Sequence, residues 1–254
     1  MEASRPVFSA DRGDSPVESS VVKITHDGDV MLVVGQSQHK IQVSSHFLKL
    51  ISPFFQAMFN APMKEGQALA TRNDGDPPVE INLPEDKALP MAQLLYTLYG
   101  SDPDAKNLPI HEVKDMAILA EKYGMVPRIE IFASFWLRNA ALKDSKEVTQ
   151  NDWNGLIVAY LLKDDQAFYN LTYGMQFGQE SLLEFADSFP ENYTGLRLGL
   201  ALEEVRRASL DDRNGWGGKM GLCMFCFSQA TDSFVRKRAD CSSPERHFPW
   251  LPQA

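Results

Sequence analysis

Cysteine is scarce in this sequence, with three in 254 residues, at positions 223, 226 and 241. An odd number of thiols gathered late in the chain cannot make a disulfide framework, and such sparing use suits a reducing compartment. Long apolar runs are missing as well. No stretch approaches the roughly 20 residues that cross a bilayer. Met1 to Ser20 mixes Pro, Ser, Asp and Arg without the apolar centre of a secretory signal. That opening reads as a disordered leader, and the two absences together predict a cytoplasmic or nuclear protein without membrane contact.

Positive charge is also short. Against 34 Asp plus Glu stand 25 Lys plus Arg, a formal net charge of -9, which repels a phosphate backbone. Nucleic acid is therefore not an expected partner. Arg236-Lys237-Arg238 lies in a mildly basic tail, residues 217–254, and a run of that length reads first as a solvated face.

Catalytic motifs are the last absence. There is no Gly-x-Ser-x-Gly elbow and no His-Glu-x-x-His pair. Gly215-Trp216-Gly217-Gly218-Lys219 is followed by Met220, so it fails the spacing of a phosphate-binding loop and reads as a linker. The five histidines have no neighbouring acid or nucleophile in a triad-like order. Acid pairs such as Asp164-Asp165 sit where helices begin, and there they complement the helix dipole. The expectation is a protein that is not an enzyme.

What the sequence does contain is a core. Hydrophobic residues make up 44% and aromatics 10%, enough for one or two folded domains. Val30 to Val34 is a short apolar run ending at Gly35, and Lys40-Ile41-Gln42-Val43 alternates, so the two predict a hairpin. Ser44 or Ser45 then caps a helix through Leu48 and Ile51, and Ser52-Pro53 opens a second, Phe54 to Phe59. Lys64 to Pro78 reads as a surface loop, and Val79 to Leu83 as a third, half-buried strand. Helices are predicted over Ala88 to Tyr99, Ile110 to Tyr123 and Val126 to Arg138, with Gly100 and Gly124 as C-terminal stops. Beyond Ala141 the pattern stays helical, with apolar faces around Trp153, Phe168 and Leu198.

This order of elements resembles the BTB/POZ fold. The likeness is carried by Asp29 to Val34, Ile41, Leu48, the string Ser52-Pro53-Phe54-Phe55-Gln56-Ala57-Met58-Phe59, Val79 to Leu83, and Leu94 to Gly100. It covers residues 21–140, and the remainder resembles, more loosely, the C-terminal halves of fungal BTB-domain proteins. The predicted architecture is α+β: a three-stranded sheet packed against helices in residues 21–140, a helical region over 141–216, and a Cys-containing tail over 217–254.

The resemblance implies a protein–protein interaction module. Phe54, Phe55, Met58 and Phe59 fall within two turns and cannot share one narrow stripe, so either all are core or some line a partner surface. In family members that serve cullin-type ubiquitin ligases, a hydrophobic-x-acidic motif after the second helix touches the cullin. Met63-Lys64-Glu65 stands in that place here, and its alternative reading is an ordinary loop start. Asp29 matches the acidic residue of the family's dimer-side pocket, but the usual His and Arg are replaced by Ser44 and Ile51. Two roles follow: an adaptor that brings an unknown target to a cullin, or a self-associating scaffold or transcriptional regulator without a ligase role. An enzyme with an unfamiliar site in residues 141–254 is a third.

Cys223-x-x-Cys226, Cys241 and His247 supply three soft ligands and an imidazole, a set that suits a tetrahedral structural zinc. The other reading is that the thiols are uncommitted small hydrophobes and His247 simply packs.

Overall fold

β-branched and alternating residues form strands here because a sheet neighbour covers one face of each. A computed structural model describes residues 21–73, 75–138, 147–176, 181–189, 191–210 and 220–247. Its described residues divide into two units, those within 21–108 and 115–131, and those within 109–114 and 132–247. The expected leader, the linker at Gly215 to Lys219 and the junction at Ala141 lie outside the described residues.

The first unit contains β1 (Val22–Lys23), β2 (Val30–Val34), β3 (His39–Val43) and β4 (Val79–Leu83), in the sheet order β1-β3-β2-β4. The hairpin is antiparallel, with Val30 opposite Val43 and Val34 opposite His39. β4 runs parallel to β2, with Leu32 opposite Ile81. The sheet thus has four strands rather than three. The additional one, β1, is two residues long and owes its strand character to parallel pairing with Ile41 and Gln42.

Helices α1 (Ser45–Ile51), α2 (Pro53–Asn60), α3 (Lys64–Thr71), α4 (Ala88–Tyr99) and α5 (Ile110–Lys122) follow in chain order, with β4 between α3 and α4. Two positions depart from expectation. Ser44 precedes α1, but its side chain makes no cap bond. The Asp29 carboxylate instead accepts from the Ser45 peptide N–H and hydroxyl, both at 2.6 Å. The segment expected as a loop from Lys64 begins as α3, because Gln67, Ala68, Leu69 and Ala70 favour helix and turn residues concentrate only from Asn73 onward. The span from Val126 is broken into α6 (Val126–Ile129), a 3-10 turn (Glu130–Phe132) and α7 (Ala133–Trp136).

Core side chains of the first unit come from both layers. Leu32, Val34 and Ile41 of the sheet, Leu48 and Phe55 of the first helices, and Met91, Leu95 and Met116 are all fully buried. Phe55 stacks on Tyr123 at 5.1 Å between ring centroids. Ser52 ties the helices together: its hydroxyl accepts from the Phe55 N–H at 3.2 Å and donates to the Tyr123 carbonyl at 2.7 Å.

The second unit is built on α8 (Gln150–Leu161), α9 (Asp165–Met175), a 3-10 segment (Leu182–Ser188), α10 (Asn192–Leu210) and α11 (Met224–Ser228). Thr149 and Asp152 form a reciprocal capping box at the start of α8. Trp153, Ile157, Phe168 and Phe227 are fully buried within this unit. No helix among the described residues is long and apolar enough to cross a membrane.

Candidate functional site

The α2–α3 corner sorts the four apolar residues of α2. Phe55 and Phe59 are buried, Met58 is half-buried, and Phe54 is 44% exposed. The all-core reading therefore fails at Phe54, while the partner-surface candidates Phe55 and Phe59 are core side chains instead, because they face the packed side of α2. Phe54 still rests edge-on against Tyr123 at 5.2 Å, so its outer face is presented on a fixed support. Leu50, at the end of α1, is also exposed, and its carbonyl accepts from Arg128 at 3.1 Å.

Met63 lies at the N-cap position of α3, with its side chain 57% exposed, and Glu65 lies half-buried in the first turn. Their placement depends on Gly66. A Cβ there would meet the carbonyl oxygens of Ala61 at 2.4 Å and Phe59 at 2.9 Å, closer than side-chain carbons approach backbone oxygens. Glycine lets α3 begin hard against the end of α2, which presents Met63 on a tight corner.

Beneath the start of α4, Asp86 is a buried carboxylate. It accepts from Lys122 at 2.6 Å and from the Tyr123 hydroxyl. Burial, reinforced by the neighbouring Asp86, raises the Tyr123 pKa strongly. An open groove of about 270 Å³ runs beside it, lined by Glu85, Asp86, Pro90, Asp115, Ile118 and Lys122 among others. Four of its charges pair with one another, Lys122 with Asp86 and Lys87 with Asp115.

In the second unit, chain folding gathers Cys223, Cys226, Cys241 and His247, all buried, with their ligand atoms within 4.8 Å of one another. The separations are 3.7 Å from Cys223 Sγ to Cys241 Sγ, 3.5 Å from Cys226 Sγ to His247 Nε2 and 3.3 Å from Cys241 Sγ to the same nitrogen. His247 Nδ1 faces the Val235 carbonyl at 3.5 Å. A carbonyl only accepts, so Nδ1 carries the proton and Nε2 offers its lone pair to the sulfurs. Burial raises the thiol pKa of Cys223, pushes that of Cys226 up to about 12, and lowers that of His247. The Arg238 peptide N–H opposes part of the rise at Cys226 by donating to its sulfur at 3.3 Å.

Residues 23–139 match the BTB/POZ domain family. This segment is a BTB/POZ domain. No curated protein matches the chain. BTB/POZ domains are protein–protein interaction modules, and the exposed apolar side chains of α1, α2 and the α3 corner suit that class of activity.

Within the BTB/POZ domain, the Asp29 carboxylate is engaged by Ser45 at the start of α1. Outside it, sequence reasoning missed the groups that hold the tail to the second unit. Arg197 lies over the rings of Tyr193, Phe227 and Phe234 and donates to the carbonyls of Phe227 and Ala230. The Glu204 carboxylate accepts from Ser233 and from the Phe234 N–H, and Arg246 pairs with Asp165. No local signal marks these contacts, because every partner but Tyr193 lies far away in sequence. In the basic run, Arg236 and Arg238 both pair with the exposed Asp232, so those two charges are met locally by an acid at the surface.

Proposed function

We propose that this BTB/POZ domain is the cullin-binding half of a ubiquitin-ligase substrate adaptor, with Met63 and Glu65 as its anchors. The observation that carries the reading is Met63, a large apolar side chain more than half exposed at the corner where adaptors of this family present a hydrophobic-x-acidic motif. A flexible thioether fills an apolar cleft readily, and a carboxylate two residues later sets the orientation through a charge-assisted hydrogen bond. Phe54 and Leu50 extend the apolar surface presented by the same helices.

Complete burial of a Met side chain is worth about 1.5–3 kcal/mol. Rather more than half of Met63 remains to be covered, which corresponds to roughly 1–1.5 kcal/mol, or about a tenfold change in Kd. The test is titration calorimetry of the purified chain against a purified cullin. Met63→Ala is expected to weaken binding about tenfold, and Met63→Ala with Glu65→Ala further. Equal affinity for the folded double variant and the wild type rejects the anchors. Sedimentation of the free chain separates the adaptor from a scaffold, since a scaffold assembles with rising concentration and no partner.

A further inference from the structure

We infer that Cys223, Cys226, Cys241 and His247 bind one zinc ion, a structural centre that closes the tail of the second unit onto itself. The inference stands apart from the cullin reading and shares no residue with it.

The geometry argues first. A tetrahedral zinc with Zn–S of about 2.3 Å and Zn–N of about 2.0–2.1 Å requires sulfur pairs roughly 3.8 Å apart and sulfur–nitrogen pairs roughly 3.6 Å apart. Cys223 and Cys241 stand at 3.7 Å, and Cys226 and Cys241 lie 3.5 and 3.3 Å from the imidazole nitrogen. All four donor atoms fall inside one 4.8 Å group, so they surround a common point rather than forming two separate pairs.

The chemistry of the donors argues second. Three thiolates and an imidazole form a closed set for Zn²⁺, with no position left for water or substrate, so the centre is structural. A ligating histidine commonly donates its other ring N–H to a carbonyl, and His247 makes that contact with Val235. A thiolate is stabilised by a backbone N–H, and Arg238 provides one to Cys226. Three thiolates with a dication carry one net negative charge. The Arg238 peptide N–H dipole meets that charge at Cys226.

The fold argues third. Residues 220–247 hold little regular structure, only α11 and a 3-10 turn at Pro244–Arg246. A segment so short of backbone ladders is held by side-chain contacts, and a metal cross-link would add to them. The four ligands come from both ends of it, and an ion joining them would tie α11 to the turn before His247. A Cys223–Cys241 disulfide would cross-link the same ends but would leave Cys226 and His247 buried without a shared partner.

The test is metal analysis of the full chain, purified under reducing conditions without chelator. One zinc per chain is expected, and Co²⁺ exchanged into the site should give the visible absorption of a tetrahedral thiolate centre. His247→Cys preserves a complete donor set and should retain the ion, whereas His247→Ala should weaken zinc binding by ~100-fold or more, judged against the smaller loss that removal of a supporting group brings. The native chain should show all three thiols shielded from a thiol reagent until a chelator is added. Folded protein that holds under about 0.1 zinc per chain after incubation with excess zinc under reducing conditions overturns the inference. So does zinc retained at full affinity in both His247→Ala and Cys226→Ser.

Discussion

Gly66→Ala separates two opposing expectations by sign. On helix propensity alone, replacing a glycine inside a helix by alanine stabilises by up to about 1 kcal/mol, and α3 runs Lys64–Thr71 with Gly66 in its first turn. The tertiary contact points the other way. The added Cβ would stand 2.4 Å from the Ala61 carbonyl oxygen, 2.9 Å from that of Phe59 and 3.3 Å from that of Met58. All three are backbone atoms and cannot swing aside as a side chain would. Relief requires α3 to shift from the end of α2 by most of an ångström, and overpacking of this kind costs about 1–3 kcal/mol. The net expectation is a loss of about 1–2 kcal/mol, which for a domain of this size lowers the calorimetric midpoint by roughly 4–10 °C. Hydrogen exchange localises the effect: the Gln67 N–H, bonded to the Met63 carbonyl at 2.9 Å, should exchange faster. Because the shift moves Met63, affinity for a cullin should fall alongside. A variant as stable as the wild type, or more stable, refutes the close-approach argument.

Other outcomes follow from the same structure. Asp29→Ala should cost about 0.5–2 kcal/mol by removing the acceptor for the first α1 N–H, while Ser44→Ala, whose side chain makes no cap bond, should leave the thermal midpoint unchanged; the reverse order would reject the capping assignment. Tyr123→Phe keeps the stack on Phe55 but deprives buried Asp86 of a donor, and denaturant titration should register about 1–3 kcal/mol of lost stability. The folded pKa of Tyr123 is raised above its ordinary value near 10, so its contribution is complete below pH 10 and is lost as pH rises further; the wild type should lose stability there more steeply than Tyr123→Phe. Equal slopes for the two proteins would rule out that titration.

Much of the BTB/POZ domain is legible locally. Val30 to Val34 and Val79 to Leu83 are short β-rich segments bounded by turn residues, and Ala88 to Tyr99 carries a helical stripe ended by Gly100, so each element announces itself within its own window. The misreading of α3 has the same root. Its helix formers are interrupted by Gly66 and run into the glycine- and aspartate-rich stretch from Asn73, which masks them, and its packing on α2 is not a local property. β1 has two residues and exists only because β3 offers it an edge.

The four members of the Cys and His group are recognisable by type and spacing alone, whereas the Met63-Lys64-Glu65 string is marked only by the family resemblance. Which apolar residues of α2 face inward could not be read locally, because Phe54 and Phe55 both touch Tyr123 and differ in how far the surrounding core covers them. Sequence periodicity determined the elements and their order, since backbone preference and apolar spacing act over a few residues. Tertiary structure alone decided that Asp29 caps α1, that α3 starts against α2, and that Cys223 meets Cys241 and His247. Those outcomes depend on how separate elements pack in space, which backbone preference and apolar spacing within a short window do not specify.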